Sequence, residues 1–301
     1  MKKMVSDSSF HTNLTIKDCL REATNKLKNA GIEDVRFNSN LLACKALGIR
    51  ESQLPLHWND VASDEFIKNL SDYVDRRCSN EPLQYIIGEW SFLDLDIKVG
   101  PGALIPRPET EEVFLAAKDA IIASKLQADF HFADVGTGTG ILGISMAKAF
   151  PSAIGVMVDI SEQALTIAEQ NVSIYSDLKP RLKLLHNNLL EGFGADSIDV
   201  IISNPPYIDS DEVKTLMPEV ADYEPHLALD GGVGGLVLID ILIRQAESVL
   251  KNHGLLIFEH GHGQREAIRA IIGSKWKILK EGDDFAGKER YFVIQLQKGD
   301  C

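Results

Sequence analysis

Long hydrophobic runs are absent from this sequence. The longest greasy segment, Leu236 to Ile243, is broken by Asp240 and is too short to span a bilayer. The first residues, Met1-Lys2-Lys3-Met4-Val5-Ser6-Asp7, carry two lysines with no apolar stretch behind them, so they do not read as a secretory signal. Cysteine is sparse: Cys19, Cys44, Cys78 and Cys301 are the only four, and none forms a C-x-x-C pair. That spacing gives neither a disulfide framework nor a structural zinc pattern, and sparse thiols fit a reducing compartment. Positive charge is short as well. The 31 Lys+Arg face 44 Asp+Glu, a formal net charge of -13, so no global field draws the chain to nucleic acid, although a local basic patch stays open. Among the eight histidines only His260-x-His262 approaches a metal-ligand spacing, and it has no third partner nearby. No internal repeat and no low-complexity tract occurs. These absences predict a cytoplasmic protein with no membrane span, no metal and no direct nucleic-acid partner; a monomer is expected.

What is present is ordinary globular material. Hydrophobic residues make up 45% and charged residues 25% of 301 residues, a length that suggests about two domains. Residues 1 to about 12 are polar and read as frayed. From Leu14 to about Arg77 the pattern is helical: Ile16, Leu20, Ala23 and Leu27 recur at three- and four-residue steps, as do Phe66, Leu70 and Val74. Gly31, Gly48 and Pro55 punctuate this stretch. Residues 1–80 are therefore expected to form a small helical domain. Tyr85-Ile86-Ile87 and Phe92 to Ile97 read as short strands around Gly88, a β-hairpin linking two domains over residues 81–105. Pro108, followed by Glu109, Glu111 and Glu112, reads as a helix start, where proline fits the first turn and carboxylates suit the positive dipole end. Beyond it strands and helices alternate. Phe132 to Val135, Ile154 to Val158, Leu182 to Leu185, Ile198 to Ile202, Leu255 to Phe258, Trp276 to Leu279 and Tyr291 to Leu296 are the predicted strands. Such alternation over residues 106–301 predicts an α/β, doubly wound, mostly parallel sheet.

Two stretches carry chemistry. Asp134-Val135-Gly136-Thr137-Gly138-Thr139-Gly140 sits where a strand turns into a helix, and glycines there let backbone approach a ligand closely. Ligands in such sheets bind beyond the carboxyl ends of the strands, near the point where strand order reverses. Residues 138 to 143 also match G-x-G-x-x-G, which keeps a dinucleotide open, as does a tight turn with no ligand at all. Asp159 ends the second strand, about 20 residues on; a carboxylate there can accept both hydroxyls of a ribose, or cap the next helix. The second stretch, Asn204-Pro205-Pro206-Tyr207, follows the fourth strand. Two prolines remove two backbone donors and leave carbonyl oxygens free to accept. Asn204 adds a side-chain acceptor and Tyr207 a flat apolar face, a set that can grip a planar NH2 group. A rigid loop start is the alternative.

The Gly136 turn, Asp159 and the Asn-Pro-Pro-Tyr stretch resemble the class I methyltransferases that use S-adenosyl-L-methionine to methylate amino or amide nitrogen. Within them the chain resembles the HemK/PrmC family of protein-(glutamine-N5) methyltransferases acting on peptide chain release factors. Glu81 to Gly88 and Leu104-Ile105-Pro106-Arg107-Pro108-Glu109-Thr110-Glu111 match family stretches that DNA amino methyltransferases generally lack. Glu259-His260-Gly261 with Gln264, and Asp284 with Gly287 and Arg290, match later ones. The resemblance implies a Rossmann-like methyltransferase domain and a helical amino-terminal domain that helps to bind the protein substrate. It implies cofactor contacts from Gly136, Thr137, Gly138, Thr139, Gly140, Asp159, Asn188, Leu189 and Asn204, and substrate contacts from Asn204, Pro205, Pro206 and Tyr207. Asn204, Pro205 and Tyr207 would be catalytic, with S-adenosyl-L-homocysteine as the product. Arg107, Glu109 and Glu111 are expected beside the cofactor pocket, unless they are only a helix N-terminal charge cluster.

One position departs from the family pattern. An Asp facing the adenine amino group and a neighbouring ring are common after the third strand; here Asn188 accepts without charge and Leu189 offers only apolar contact. Other activities keep some support. A ribosomal-protein glutamine methyltransferase would share most of these motifs. A nucleic-acid amino methyltransferase would share Asn-Pro-Pro-Tyr but sits badly with the charge. A nicotinamide oxidoreductase, or a nucleoside-binding scaffold, would use the glycines and give Asn204 to Tyr207 no task.

Overall fold

The computed structural model describes residues 14–298, so the expected frayed start and Cys301 lie outside the described residues. The chain divides into two compact units that meet at Ile87/Gly88.

The first unit is helical: α1 (Ile16–Asn29), α2 (Val35–Leu47), α3 (Leu54–His57), α4 (Asp64–Cys78) and α5 (Leu83–Ile87). Its start is fixed by a capping box. The Thr15 hydroxyl accepts from the Asp18 N–H, and the Asp18 carboxylate accepts from the Thr15 N–H, both at 3.2 Å. The predicted stripe Ile16, Leu20, Ala23 and Leu27 is buried, and Phe66, Leu70 and Val74 of α4 pack into the same core with Leu42 and Leu54. Arg77 is buried with them, its Nε donating to Asn38 Oδ1 at 2.9 Å, which satisfies a polar group that burial would otherwise penalise.

One expectation fails here. Tyr85-Ile86-Ile87 is not a strand but part of α5, because Leu83 and Ile86, three residues apart, both face the helical core. The hairpin lies one element later, β1 (Glu89–Phe92) against β2 (Leu95–Lys98). The stretch 81–105 is thus shared: α5 belongs to the first unit, the hairpin to the second.

The second unit continues with α6 (Pro108–Ser124), β3 (His131–Val135), α7 (Ile141–Ala149), β4 (Ile154–Asp159), α8 (Glu162–Ile174), β5 (Leu182–His186), β6 (Ile198–Ser203) and α9 (Pro218–Ala221). It ends with α10 (Val237–Val249), β7 (Leu250–Glu259), α11 (Arg265–Ile271), β8 (Trp276–Asp283) and β9 (Glu289–Leu296). Pro108 occupies the first turn of α6, as the sequence predicts. Seven strands form one sheet in the order β5-β4-β3-β6-β7-β9-β8. Strands β3 to β7 pair in parallel, while β9 runs antiparallel to β7 and β8.

Alternation of side chains explains why both faces are dry. Phe132, Val200, Ile202, Leu255, Ile257 and Val293 join one core with residues of α6, α7 and α8. Ala133, Val135, Ile201, Leu256, Phe258 and Phe292 join the other with α10 and α11. A strand covered on both faces reads as a continuous apolar run, and this is how β6, β7 and β9 read. The chain steps outward through β3, β4 and β5, then returns to lay β6 beside β3. The carboxyl ends of β3 and β6 therefore flank the topological switch point, and both motif stretches emerge there.

Candidate active site

The turn after β3 is held by backbone donors meeting acceptors on β4. Gly136 N and Thr137 N both donate to the Val158 carbonyl, at 2.8 and 2.9 Å. Asp159, at the end of β4, accepts from Gly138 N through Oδ2 (2.8 Å) and from Ser161 N through Oδ1 (2.9 Å). Burial raises its pKa, and these donors oppose the rise. Beneath the turn Asp134 is fully buried; its Oδ2 accepts from Thr137 Oγ1 at 2.5 Å and Gly143 N at 2.8 Å, while Oδ1 has no partner. Burial pushes this carboxyl up to about 7. Gly140, at φ 86°, starts α7, and a Cβ there would stand 2.7 Å from Met157 Cε and 3.3 Å from Ala168 Cα. Glycine at this position follows from both the left-handed backbone and the close helix packing.

The loop after β6 is held by side chains instead. Ser203 Oγ donates to the Val135 carbonyl at 2.7 Å and ties the two strand ends together. A Cβ on Gly136 would lie 3.8 Å from the Asn204 carbonyl oxygen, so the two motif stretches are neighbours. Asn204 Nδ2 donates to Thr110 Oγ1 at 3.0 Å, and Thr110 Oγ1 donates to Glu259 Oε2 at 2.7 Å. The Tyr207 hydroxyl donates to the other oxygen of Glu259 at 3.0 Å, and Gln264 Nε2 donates to the Tyr207 carbonyl at 2.8 Å. Glu259 is 0% exposed. Burial pushes its carboxyl up to about 7, against the opposing pull of the Thr110 and Tyr207 hydrogen bonds and of Arg290. Burial and the nearby Glu259 raise the Tyr207 phenol far above its ordinary pKa, so it stays a donor.

A cavity of about 210 Å³ opens over both loops, more than ten times what one buried water needs. Of the residues singled out in the sequence, Gly136, Thr137, Gly138, Thr139, Asp159, Asn188, Leu189, Asn204 and Pro206 line it. Gly140, Pro205 and Tyr207 do not; Pro205 is buried, and Tyr207 packs against the core on the α10 side. Asn188 donates through Nδ2 to Glu191 Oε1 at 2.6 Å. Leu189 takes a left-handed backbone (φ 47°), unusual for a leucine, with its carbonyl held by Asn187 Nδ2 at 3.2 Å.

Two readings were open for the acidic stretch before and into α6. Pro106 and Thr110 line the cavity, whereas Arg107, Glu109 and Glu111 do not. Glu111 accepts from Leu93 N at 2.9 Å and so caps the hairpin turn. Arg107 pairs with Glu224, which also accepts from Ile105 N at 3.1 Å and is only 4% exposed. That pair, buried on its Glu224 side, fastens the 209–230 excursion, which covers the cavity with Pro225, Leu227 and Ala228. Thr110 and Glu259 fall in stretches that carry the family resemblance but had no role assigned there, and Glu224 was not singled out at all. Their partners lie between 52 and 149 positions away, beyond any local pattern. Among the described residues no cluster suited to a metal ion occurs, and no helix is long and apolar enough to cross a membrane.

Residues 18–88 match the PrmC N-terminal domain and residues 117–231 the methyltransferase small domain. A release factor glutamine methyltransferase of Caulobacter vibrioides is 35% identical over 86% of this chain and 88% of its own. A Thermodesulfovibrio yellowstonii protein of the same name is 33% identical over 93% and 98%. The chain belongs to the release factor glutamine methyltransferase family. Among solved structures, P. horikoshii TYW2 in complex with MeSAdo superposes with a TM-score of 0.50 at 12% identity, covering 70% of this chain and 71% of that one, a likeness of fold. The expected class I methyltransferase architecture is therefore present, and the enzyme is a methyltransferase drawing on a donor of the S-adenosylmethionine type. The cavity suits such a group. Asp159 and Asn188 bring polar oxygens to it, and Ile160 and Leu189 bring apolar wall.

Proposed function

We propose that this enzyme transfers a methyl group from S-adenosyl-L-methionine to the side-chain amide nitrogen (N5) of the glutamine in the Gly-Gly-Gln motif of peptide chain release factors. The observation that carries the reading is the shared cavity: Asn204 lines it together with the Gly136 turn and Asp159. The curated relatives, which bear the name release factor glutamine methyltransferase, support the substrate. The helical unit takes the part of recognising the protein substrate.

S-adenosyl-L-methionine bound there supplies a methyl group on a sulfonium and leaves as S-adenosyl-L-homocysteine. Asp159 is the acceptor for the ribose hydroxyls, and Asn188 for the adenine amino group. An amide nitrogen is a poor nucleophile, because its lone pair is delocalised into the carbonyl. Asn204 Oδ1 and the Pro205 carbonyl accept its two hydrogens, hold the lone pair in line and stabilise positive charge growing on nitrogen. Tyr207 holds the far end of the stretch, its hydroxyl anchored on Glu259. The proton is acidic only after the nitrogen is alkylated, so it leaves to solvent and no side chain acts as base. Holding two reactants in line contributes about 7–11 kcal/mol to such a reaction, which makes positioning the leading effect.

The test offers radiolabelled S-adenosyl-L-methionine to purified release factor, ribosomal protein and DNA side by side. Label is expected in the release factor and absent when the glutamine of its Gly-Gly-Gln tip is replaced. Label only in ribosomal protein or DNA would overturn the reading.

A further inference from the structure

An asparagine amide has two ends of nearly equal shape, and only one can accept a hydrogen bond. If Asn204 is to grip an NH2 group, its oxygen must face the substrate and its own NH2 must face away. A half-turn of the amide sets donor against donor. Something must therefore choose the orientation, and the side-chain partner of Asn204 is Thr110 Oγ1, 3.0 Å from Nδ2.

Thr110 is itself buried at 3% exposure, and its hydroxyl carries a single proton. That proton has two claimants, Asn204 and Glu259 Oε2 at 2.7 Å. An ionised carboxylate only accepts, so the proton goes to Glu259 and the hydroxyl oxygen must receive from Asn204 Nδ2. The Tyr207 hydroxyl, 3.0 Å from Glu259 Oε1, donates for the same reason. One buried carboxylate thus sets the direction of two hydrogen bonds, one leading to each end of the Asn-Pro-Pro-Tyr stretch.

Resting on the proposed amide methylation, we infer that Thr110 and Glu259 are positioning residues whose hydrogen-bond polarity fixes which end of the Asn204 amide faces the substrate. A proton on Glu259 Oε2 reverses the Thr110 bond: the carboxyl donates, the hydroxyl turns its proton to Asn204, and the amide flips its NH2 toward the substrate. A proton on Oε1 reverses the Tyr207 bond instead. Either proton frees one member of the motif. The charged and titratable groups acting on Glu259 are Arg290 from β9, Glu109 from α6 and Tyr207 after β6. Arg290 lowers the pKa and Glu109 raises it, with burial the dominant cause. The guanidinium of Arg290 is shared with Asp284, 2.9 Å away, so Glu259 does not hold it alone.

The test compares single-turnover methyl transfer to release factor, with both substrates pre-bound, across pH 5.5 to 8.5 (about three units around a carboxyl near neutrality). In the wild type the rate is expected to rise roughly tenfold per pH unit on the acid side and to level off above neutrality. Glu259→Gln should be slow and flat with pH. Thr110→Val, which keeps the shape and loses the hydroxyl, should lose on the order of 10²-fold in kcat, while calorimetry finds a far smaller change in cofactor affinity. Thr110→Ser should recover most of the lost rate. A readout free of turnover is the Asn204 side-chain NH2 resonance, identified by its loss in Asn204→Ala. It should titrate with the same pKa as kcat in the wild type and stay still in Glu259→Gln. A wild-type rate with no acid limb, a Glu259→Gln profile like the wild type, or equal rates for Thr110→Val and Thr110→Ser would overturn the inference. Because the wild-type profile and resonance need no variant, a misfolded Thr110→Val does not spare the idea. Wild-type failure to label release factor at any pH would instead remove the proposed function.

Discussion

The two loops that meet at the switch point are built by different means. The turn after β3 is organised by backbone: N–H groups of Gly136, Thr137 and Gly138 find acceptors on the neighbouring β4, within about two dozen residues of sequence. The loop after β6 lacks that support, because its two prolines have no N–H to give. It is organised by side chains from α6, from the end of β7 and from the turn that follows it, converging on a buried carboxylate. Backbone bonds have a fixed direction, whereas a hydroxyl between two partners can reverse. The first loop is therefore a fixed cradle, and the second is a gripping device whose polarity depends on a charge. A site that must hold one ligand and aim another divides naturally in this way.

The sharpest break of this comparison is Asn204→Ala. Removing one preorganised partner of a developing charge costs on the order of 10²–10³-fold in kcat. Because the glycine turn does not depend on Asn204 for its hydrogen bonds, cofactor affinity by calorimetry should stay largely intact. Near-normal turnover would mean that the loop after β6 does not aim the substrate. A large loss of cofactor affinity would mean that the two loops are not separable.

How much of this was legible in the sequence follows the same division. The strand ends, the glycine turn and Asp159 were readable because their cause is local: period-two burial, then glycine at a left-handed backbone. The Asn204 to Tyr207 stretch was readable as a motif, but its support was not. Thr110 looks like an ordinary first-turn residue of α6, and Glu259 like a strand end, until folding closes gaps of 94 and 149 residues. Glu111 shows the reverse case: next in sequence to the cavity-lining Thr110, its carboxylate serves the hairpin turn, a partner that no local pattern reveals. Tyr85 to Ile87 misread for a third reason: three apolar residues carry too short a period to separate strand from helix.

On the cradle side the expected effects are smaller. Asp159→Ala removes a carboxylate that already accepts two backbone N–H bonds, from Gly138 and Ser161, and that is proposed to accept from ribose as well. Hydrogen bonds to charged groups contribute about 1.5–3 kcal/mol, so cofactor affinity should weaken by roughly 10- to 150-fold. At saturating cofactor the methyl-transfer rate should recover, since the grip on the substrate lies in the other loop. Unchanged affinity would remove the ribose role; a rate loss that saturation cannot rescue would remove the separation of cradle and grip.

The smallest effect tests Asn188, one of the two neighbouring positions where the sequence departs from the pattern its resemblance implies. Asn188→Asp installs the charge that commonly faces the adenine amino group, and a charged acceptor outdoes a neutral one by about 1 kcal/mol. The neighbourhood works against that gain. Asn188 Nδ2 now donates to Glu191 Oε1 at 2.6 Å, and a carboxylate in its place would lose this bond and face a like charge. The two effects are of similar size and opposite sign, so cofactor affinity should change by less than about fivefold in either direction. Asn188→Asp combined with Glu191→Gln should uncover the full gain. If the single substitution already tightens binding by more than that, Glu191 is not restraining this position and Asn188 is simply a weaker acceptor.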